Sequence, residues 1–333
     1  MNRERPHCSY ARAGAAARTV TDMRPQPATT EPHSPTVVSA RGIVKRYGRT
    51  VALAGLDADI GPGITGLLGS NGAGKTTFIS LVLGLRSRDG GELTVLGRDP
   101  ATAGIEVRSR VGYAPEHHDL PAELSATDFV RHLAEMHLLP RRAAVQRAND
   151  ALWLVGLGEE RFRPVGLMST GQRQRVKLAS AIAHDPELVL LDEPTDGLDP
   201  MQRTEMLALI RRIGTEFGVH IVLSSHHLEE AERICDSVVI VEGGEVVRAG
   251  TLADLRRGPE GLVVEVDDRA DKLASILEAR GLDVTVDGSV LLLGAADDAF
   301  DAIRDAVAEL GVGLRRLEPR GRTLEDVYLG AGA

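Results

Sequence analysis

The run Gly69-Ser70-Asn71-Gly72-Ala73-Gly74-Lys75-Thr76-Thr77 has the residue types and spacing needed to hold phosphate. Glycines let successive backbone N–H groups converge on anionic oxygens, and a helix starting at the end of the loop points its positive pole at them. The spacing G-x-x-x-x-G-K-[ST] adds a lysine, Lys75, that reaches the β- and γ-phosphates of a nucleotide, and a hydroxyl, Thr76, that ligates Mg²⁺. The flanks fit this use. Ile64 to Leu68 is an apolar run of strand length, and Phe78 to Leu85 is apolar with helical period. A glycine-rich turn that merely precedes a lysine needs no such strand–loop–helix setting.

A second stretch supplies the means to break a phosphate bond. Leu188-Val189-Leu190-Leu191-Asp192-Glu193 is continuously apolar before two carboxylates, the pattern of a parallel strand buried on both faces. At its carboxyl end Asp192 is placed to hold the Mg²⁺ shell. Glu193 is placed to orient or deprotonate an attacking water. The competing interpretation, a strand followed by an ordinary Asp-Glu-Pro turn, is weak beside the phosphate loop.

These groups have to be positioned by a frame, and the hydrophobic pattern supplies one. Ala40–Tyr47 and Val51–Ile60 are strand-like around a turn at Gly48, with further strands at Glu92–Leu96 and Val111–Ala114. Leu120–Leu157 is predicted helical, with Leu133, Met136, Leu152 and Val155 at helix-compatible spacings. Strand-like runs at His220–Ser225 and Val238–Val241 follow. After Gly250-Thr251 the pattern changes to strand (Leu262–Val266), helix (Ala270–Leu277), a hairpin of Val284–Val286 and Val290–Leu293 around Asp287-Gly288, helix (Phe300–Leu310), strand (Val312–Leu317) and a short helix (Thr323–Leu329). The order β-α-β-β-α-β predicts a small ferredoxin-like α+β domain over 258–333. Residues 1–36, rich in Ala, Arg, Pro, Thr and Ser without periodicity, read as a disordered tail.

Composition excludes several classes. The chain has 333 residues, 43% of them hydrophobic and 26% charged, which is globular and long enough for two domains. A net charge of −9 argues against nucleic-acid binding by phosphate neutralisation. No run approaches the roughly 18 apolar residues needed to span a bilayer. The 2 cysteines, Cys8 and Cys235, define neither a disulfide framework nor a metal site and point to a reducing cytoplasm.

Met168-Ser169-Thr170-Gly171-Gln172, followed by Arg173-Gln174-Arg175-Val176, resembles the signature segment of ABC-transporter ATPases, usually Leu-Ser-Gly-Gly-Gln. Other family motifs appear in family order. Tyr47, in Lys45-Arg46-Tyr47-Gly48, is similar to the aromatic residue that stacks on adenine. Glu116, in Gly112-Tyr113-Ala114-Pro115-Glu116, stands at the glutamine-loop position. Asp199, in Asp196-Gly197-Leu198-Asp199-Pro200, matches the loop that crosses a dimer interface, and His226, in Leu223-Ser224-Ser225-His226, matches the switch histidine. The resemblance covers roughly residues 37–255.

It implies a P-loop NTPase fold: an α/β domain with a RecA-like, mostly parallel sheet, an antiparallel β subdomain, and a helical subdomain at about 117–165 that touches a membrane partner. It implies ATP and Mg²⁺ as ligands, with Glu116 joining Thr76 and Asp192 at the metal. His226 contacts the γ-phosphate and positions water and Glu193. The segment Ser169-Thr170-Gly171-Gln172 closes over ATP held by a second copy, giving an ATP-dependent homodimer. Two positions depart from the pattern. Thr170 replaces a glycine, so its hydroxyl could donate to phosphate or its bulk could weaken closure, and Glu116 replaces glutamine. Thr323–Leu329 resembles the tail of antibiotic and multidrug export ATPases. The expectation is therefore an energy-coupling ATPase, peripheral on the inner face of the cell membrane, bound to a multi-span permease, with no nucleic-acid partner. The alternative is a soluble ABC-type ATPase remodelling a nucleic-acid or ribosomal complex. Such relatives carry long coiled-coil insertions or two nucleotide domains, and neither feature is seen in this sequence.

Overall fold

The structure is a computed structural model that describes residues 36–117, 120–256, 261–294, 299–320 and 323–329. The tail expected over 1–36 lies outside the described residues except for Thr36. In chain order, β1 (Val38–Tyr47) and β2 (Thr50–Ile60) form an antiparallel hairpin, followed by β3 (Ile64–Leu68), α1 (Lys75–Val82) and β4 (Gly90–Val95). Next come α2 (Gly104–Arg110), β5 (Val111–Ala114), α3 (Ala126–Met136), α4 (Arg141–Leu154) and, after two short 3-10 turns, α5 (Thr170–Ile182). They lead to β6 (Leu188–Asp192), α6 (Pro200–Phe217), β7 (His220–Ser225), α7 (Leu228–Ile234), β8 (Ser237–Glu242), β9 (Glu245–Thr251) and α8 (Leu252–Leu255).

The main sheet runs β5-β6-β7-β3-β8-β9, parallel except for β9, which pairs antiparallel to β8. Its central strands β3, β6, β7 and β8 are buried on both faces because their side chains alternate between two cores. Val189, Leu191, Ile221 and Leu223 pack with α3 to α7, whereas Leu188, Leu190, Val222 and Val239 pack with α1, β1 and β2. A strand with core on each side has no solvent face to mark with polar residues, which explains its unbroken apolar sequence. A smaller antiparallel sheet, β2-β1-β4, stands beside it. The nucleotide loop follows β3 at the carboxyl edge of the parallel strands, where ligands of open α/β sheets bind.

The helical region expected over Leu120–Leu157 is two helices, and its start is corrected: Leu120–Ser125 is not helical. Ser125 caps α3 by accepting the Asp128 N–H. Leu138 then turns into the left-handed region (φ 65), and Pro140 starts the second helix. Proline has no N–H to continue the ladder of α3 and suits a helix entry instead. Leu152 and Val155 are fully buried, but Met136 is 66% exposed and lies outside the core.

Beyond the first unit of sheet, β10 (Gly261–Val266), α9 (Ala270–Ala279), β11 (Val284–Asp287), β12 (Val290–Leu293), α10 (Ala299–Leu310), β13 (Leu314–Arg320) and α11 (Leu324–Leu329) complete the chain. The antiparallel order β11-β12-β10-β13 with α9 and α10 on one face is the ferredoxin-like arrangement. The last strand starts at Leu314 rather than Val312, since Gly311 (φ 61) ends α10 in a left-handed turn. The final helix leaves this small domain and packs on α7, with the Leu324 N–H donating to Glu232 Oε1 at 2.5 Å.

Candidate nucleotide site

The loop after β3 takes its shape in part from two glycines, Gly69 and Gly74, at which any side chain would clash with backbone. Gly69 has φ 153, and a Cβ there would meet the Val241 carbonyl oxygen at 2.2 Å; Gly74 has φ 109, and its Cβ would meet the Ala52 oxygen at 2.7 Å. Lys75 is the first residue of α1 and is buried. Its Nζ donates to the Gly69 carbonyl at 2.7 Å and stands 3.1 Å from Glu193 Oε1, an ion-pair contact without hydrogen-bond alignment. Thr76 and Thr77 follow on the first turn, with Thr76 exposed.

Asp192 is the last residue of β6, in register with Ser224 of β7. Ser224 Oγ donates to Asp192 Oδ1 at 2.5 Å and accepts the Glu193 N–H at 3.0 Å. Asp192 Oδ2 is buried without a hydrogen-bond partner. A buried anionic oxygen left open beside a phosphate-binding loop suits a hard, oxygen-seeking cation, so the residues fit Mg²⁺. Glu193 holds φ 46, a conformation a glutamate rarely adopts and one that clusters at functional sites. His226 Nδ1 lies 2.9 Å from Glu193 Oε2; because a carboxylate only accepts, the histidine supplies that proton and leaves Nε2 for another partner.

Lys75, Glu193 and His226 are thus joined by direct side-chain contacts, and Ser224 links Asp192 to them. Ser224 escaped the sequence reading; its only signal is its place two residues before His226. The remaining candidates sit in their own local networks. Ser169 caps α5 with a capping box, accepting from the Gln172 N–H while Gln172 Oε1 accepts from the Ser169 N–H. Thr170 is exposed at the first position of that helix, where its Oγ1 accepts from Arg173 at 3.4 Å, and Gly171 is buried beside Gln202. Asp199 caps α6 by accepting from the Gln202 N–H. Glu116 has its carboxylate 3.3 Å from His117 Nε2, and its carbonyl accepts from Lys177 Nζ at 2.7 Å, which ties this loop to α5. Burial holds the Lys177 ammonium below its ordinary value, and burial together with the charges of Asp192 and Glu116 pushes the Tyr113 hydroxyl up to about 12. Tyr47 is 43% exposed at the end of β1, outside the core, with Lys45 Nζ over its ring at 5.4 Å from the centroid.

A glycine loop at a helix start, two carboxylates closing a buried parallel strand and a histidine from the next strand define a nucleotide-hydrolysing site. The family model described as ABC transporter matches residues 53–196. The daunorubicin resistance ATP-binding protein DrrA3 of Streptomyces coeruleorubidus is 32% identical over 301 residues, covering 88% of this chain and 95% of that protein. The Nod factor export ATP-binding protein I of Cupriavidus pinatubonensis is 33% identical over 301 residues, covering 88% of this chain and 90% of that one. Among solved structures, cbiO1 of Clostridium perfringens, part of an ABC transporter complex, superposes with a TM-score of 0.60 at 25% identity, over 66% of this chain and 90% of that one. The chain belongs to the ATP-binding subunits of ABC transporters, and its reaction is ATP hydrolysis.

Proposed function

We propose that this subunit holds ATP and Mg²⁺ between two copies of itself and uses hydrolysis to drive a separate multi-span permease that exports a drug, lipid or other small molecule. The observation that carries the proposal is the contact chain Lys75–Glu193–His226 beside the open oxygen of Asp192.

Phosphoryl transfer asks for position and charge more than for covalent chemistry. In this reading the Gly69–Thr77 loop wraps the phosphates, and Lys75 exchanges its Glu193 contact for the β- and γ-oxygens. Tyr47 stacks on the base. Thr76, Asp192 and Glu116 would hold Mg²⁺, which when bound would neutralise charge on the phosphates. Glu193 takes the proton of the attacking water. His226, anchored through Nδ1, turns Nε2 toward the γ-phosphate. Ser169, Thr170, Gly171 and Gln172 close over the ATP of the second copy, where the start of α5 offers an anion site, and Asp199 lies in the loop between the two.

Export is supported by the relatives named for drug resistance and for export. Docking to a permease is supported by large exposed apolar side chains on and after α3 and α4: Met136, Leu138, Trp153, Phe162 and Leu167. Among the described residues no helix is long and apolar enough to cross a membrane. In this reading the subunit works at the cytoplasmic face of the membrane, on the permease. Affinity purification of the full chain from membranes tests this. A multi-span protein should co-purify and support ATP-dependent efflux of daunorubicin, and Glu193→Gln should stop that efflux. Recovery of the chain on ribosomes or DNA instead would contradict it.

A further inference from the structure

Glu230, on α7, is a carboxylate only 3% exposed, and it touches neither the phosphate loop nor the ends of β6 directly. Its oxygens collect groups from three segments. Thr195 Oγ1, two residues past Glu193, donates to both oxygens at 2.8 and 2.9 Å. Ser225 Oγ, the residue before His226, donates to Oε2 at 2.7 Å and itself accepts the His227 N–H at 3.0 Å. Arg203 Nε, in the first turn of α6 after Asp199, lies 3.4 Å from Oε1. Thr195 and Ser225 are themselves buried.

We propose that Glu230 is a positioning residue: it fastens the segment after Glu193 to the segment before His226 and anchors both to the start of α6, thereby setting the Glu193–His226 distance. The physical case is one of connectivity. Glu193 and His226 leave the ends of adjacent strands, but past those ends the β6–β7 ladder no longer constrains them. The 2.9 Å contact between their side chains then needs a second tie, and the bonds through Glu230 supply it on the far side of both loops. A buried carboxylate is costly to desolvate unless it is hydrogen-bonded and paired, and here two hydroxyls donate to it while the Arg203 guanidinium stands close enough to balance its charge. A purely apolar residue would fill the same space without that cost. Through Arg203, the same carboxylate ties the pair to α6, whose N-terminus Asp199 caps.

The proposal rests on the reading that Glu193 and His226 act together on ATP. The test uses the purified full chain, with kcat and KM for ATP measured beside the dissociation constant of a fluorescent ATP analogue and the melting temperature. Glu230→Gln keeps the shape but leaves one oxygen to accept and turns an amide toward the hydroxyls. Thr195→Val removes one hydroxyl at constant volume, and Thr195→Ser keeps it. Displacing catalytic groups by about 1 Å can cost on the order of 100-fold. Glu230→Gln and Thr195→Val are therefore each expected to lower kcat by roughly 10- to 100-fold while analogue affinity holds within about twofold. Thr195→Ser should restore most of the loss, and the Glu230→Gln/Thr195→Val double variant should be little worse than the worse single one. Unchanged kcat in folded Glu230→Gln and Thr195→Val overturns the proposal. So does a fall in kcat matched by equal loss of analogue binding and of melting temperature, which marks a structural role alone. Glu193→Gln, run alongside, separates the two levels: if it still turns over, the underlying reading fails, and if it is inactive while Glu230→Gln is normal, only the tie fails.

Discussion

Lys75 Nζ stands 3.1 Å from Glu193 Oε1, with both side chains almost wholly buried, so the cation of the phosphate loop and the carboxylate just past the end of β6 neutralise one another. ATP must compete with Glu193 for that lysine. In the proposed mechanism the pair therefore ties the arrival of the triphosphate to the release of Glu193 for its work on water.

Removing the lysine leaves Glu193 buried and uncompensated. Lys75→Ala is expected to abolish ATP binding and to cost about 3 kcal/mol of stability in thermal or urea unfolding, as loss of one partner of a buried ion pair does. Adding Glu193→Gln to it should recover most of the stability but none of the binding. Full stability of Lys75→Ala alone would show that the pair is held too loosely to matter.

The open oxygen of Asp192 makes the metal dependence specific. Asp192→Asn is expected to raise the Mg²⁺ concentration needed for half-maximal turnover by at least about 10-fold, because it removes a negative ligand from a hard cation. A magnesium titration of ATP hydrolysis reads this directly, and an unchanged midpoint would place the metal elsewhere.

Acid should loosen the junction of α3 and α5. His137 follows α3 and His184 follows α5, and their rings stack at a centroid distance of 3.7 Å. Burial, then the neighbouring His137, lowers the His184 imidazole from 6.5 to about 4. The unfolded chain therefore binds the proton first, and the stability contributed is complete above about pH 6.5. It is lost as pH falls from 6.5 toward 4 and amounts to about 3 kcal/mol at most. Unfolding curves between these values should show the slope, and His184→Phe, which keeps a ring and cannot titrate, should flatten it.

The last helix can be tested apart from chemistry. Leu324 is fully buried and Val327 nearly so, where α11 lies on α7. Leu324→Ala is expected to remove about 2–4 kcal/mol from that docking, enough to free so short a helix. Hydrogen exchange should show lost amide protection over 324–329 with nucleotide affinity intact. Retained protection would mean that α11 is held by other contacts.

Much of this frame was legible in the residues. β6 up to Asp192 and the Val238–Val241 stretch of β8 are unbroken apolar runs because both faces are buried, and the phosphate loop declares itself because its chemistry tolerates few residue types. The break between α3 and α4 was hidden by apolar residues that do not serve the core: Leu138 is 87% exposed and Met136 66%. Apolar spacing alone cannot distinguish a core position from a surface one. Ser224 and Glu230 were missed for a different reason. Their roles depend on which strands are neighbours, and only the β6–β7 register brings Ser224 opposite Asp192. Side chains that work through other side chains leave no spacing in the sequence.

The most direct test is Glu193→Gln in ATP and Mg²⁺, followed by phosphate release and light scattering on the same sample. The account predicts no phosphate above the uncatalysed background and a particle of twice the monomer mass that persists until ATP is removed. Phosphate release at the unaltered rate, or a variant that stays monomeric at saturating ATP, would contradict it.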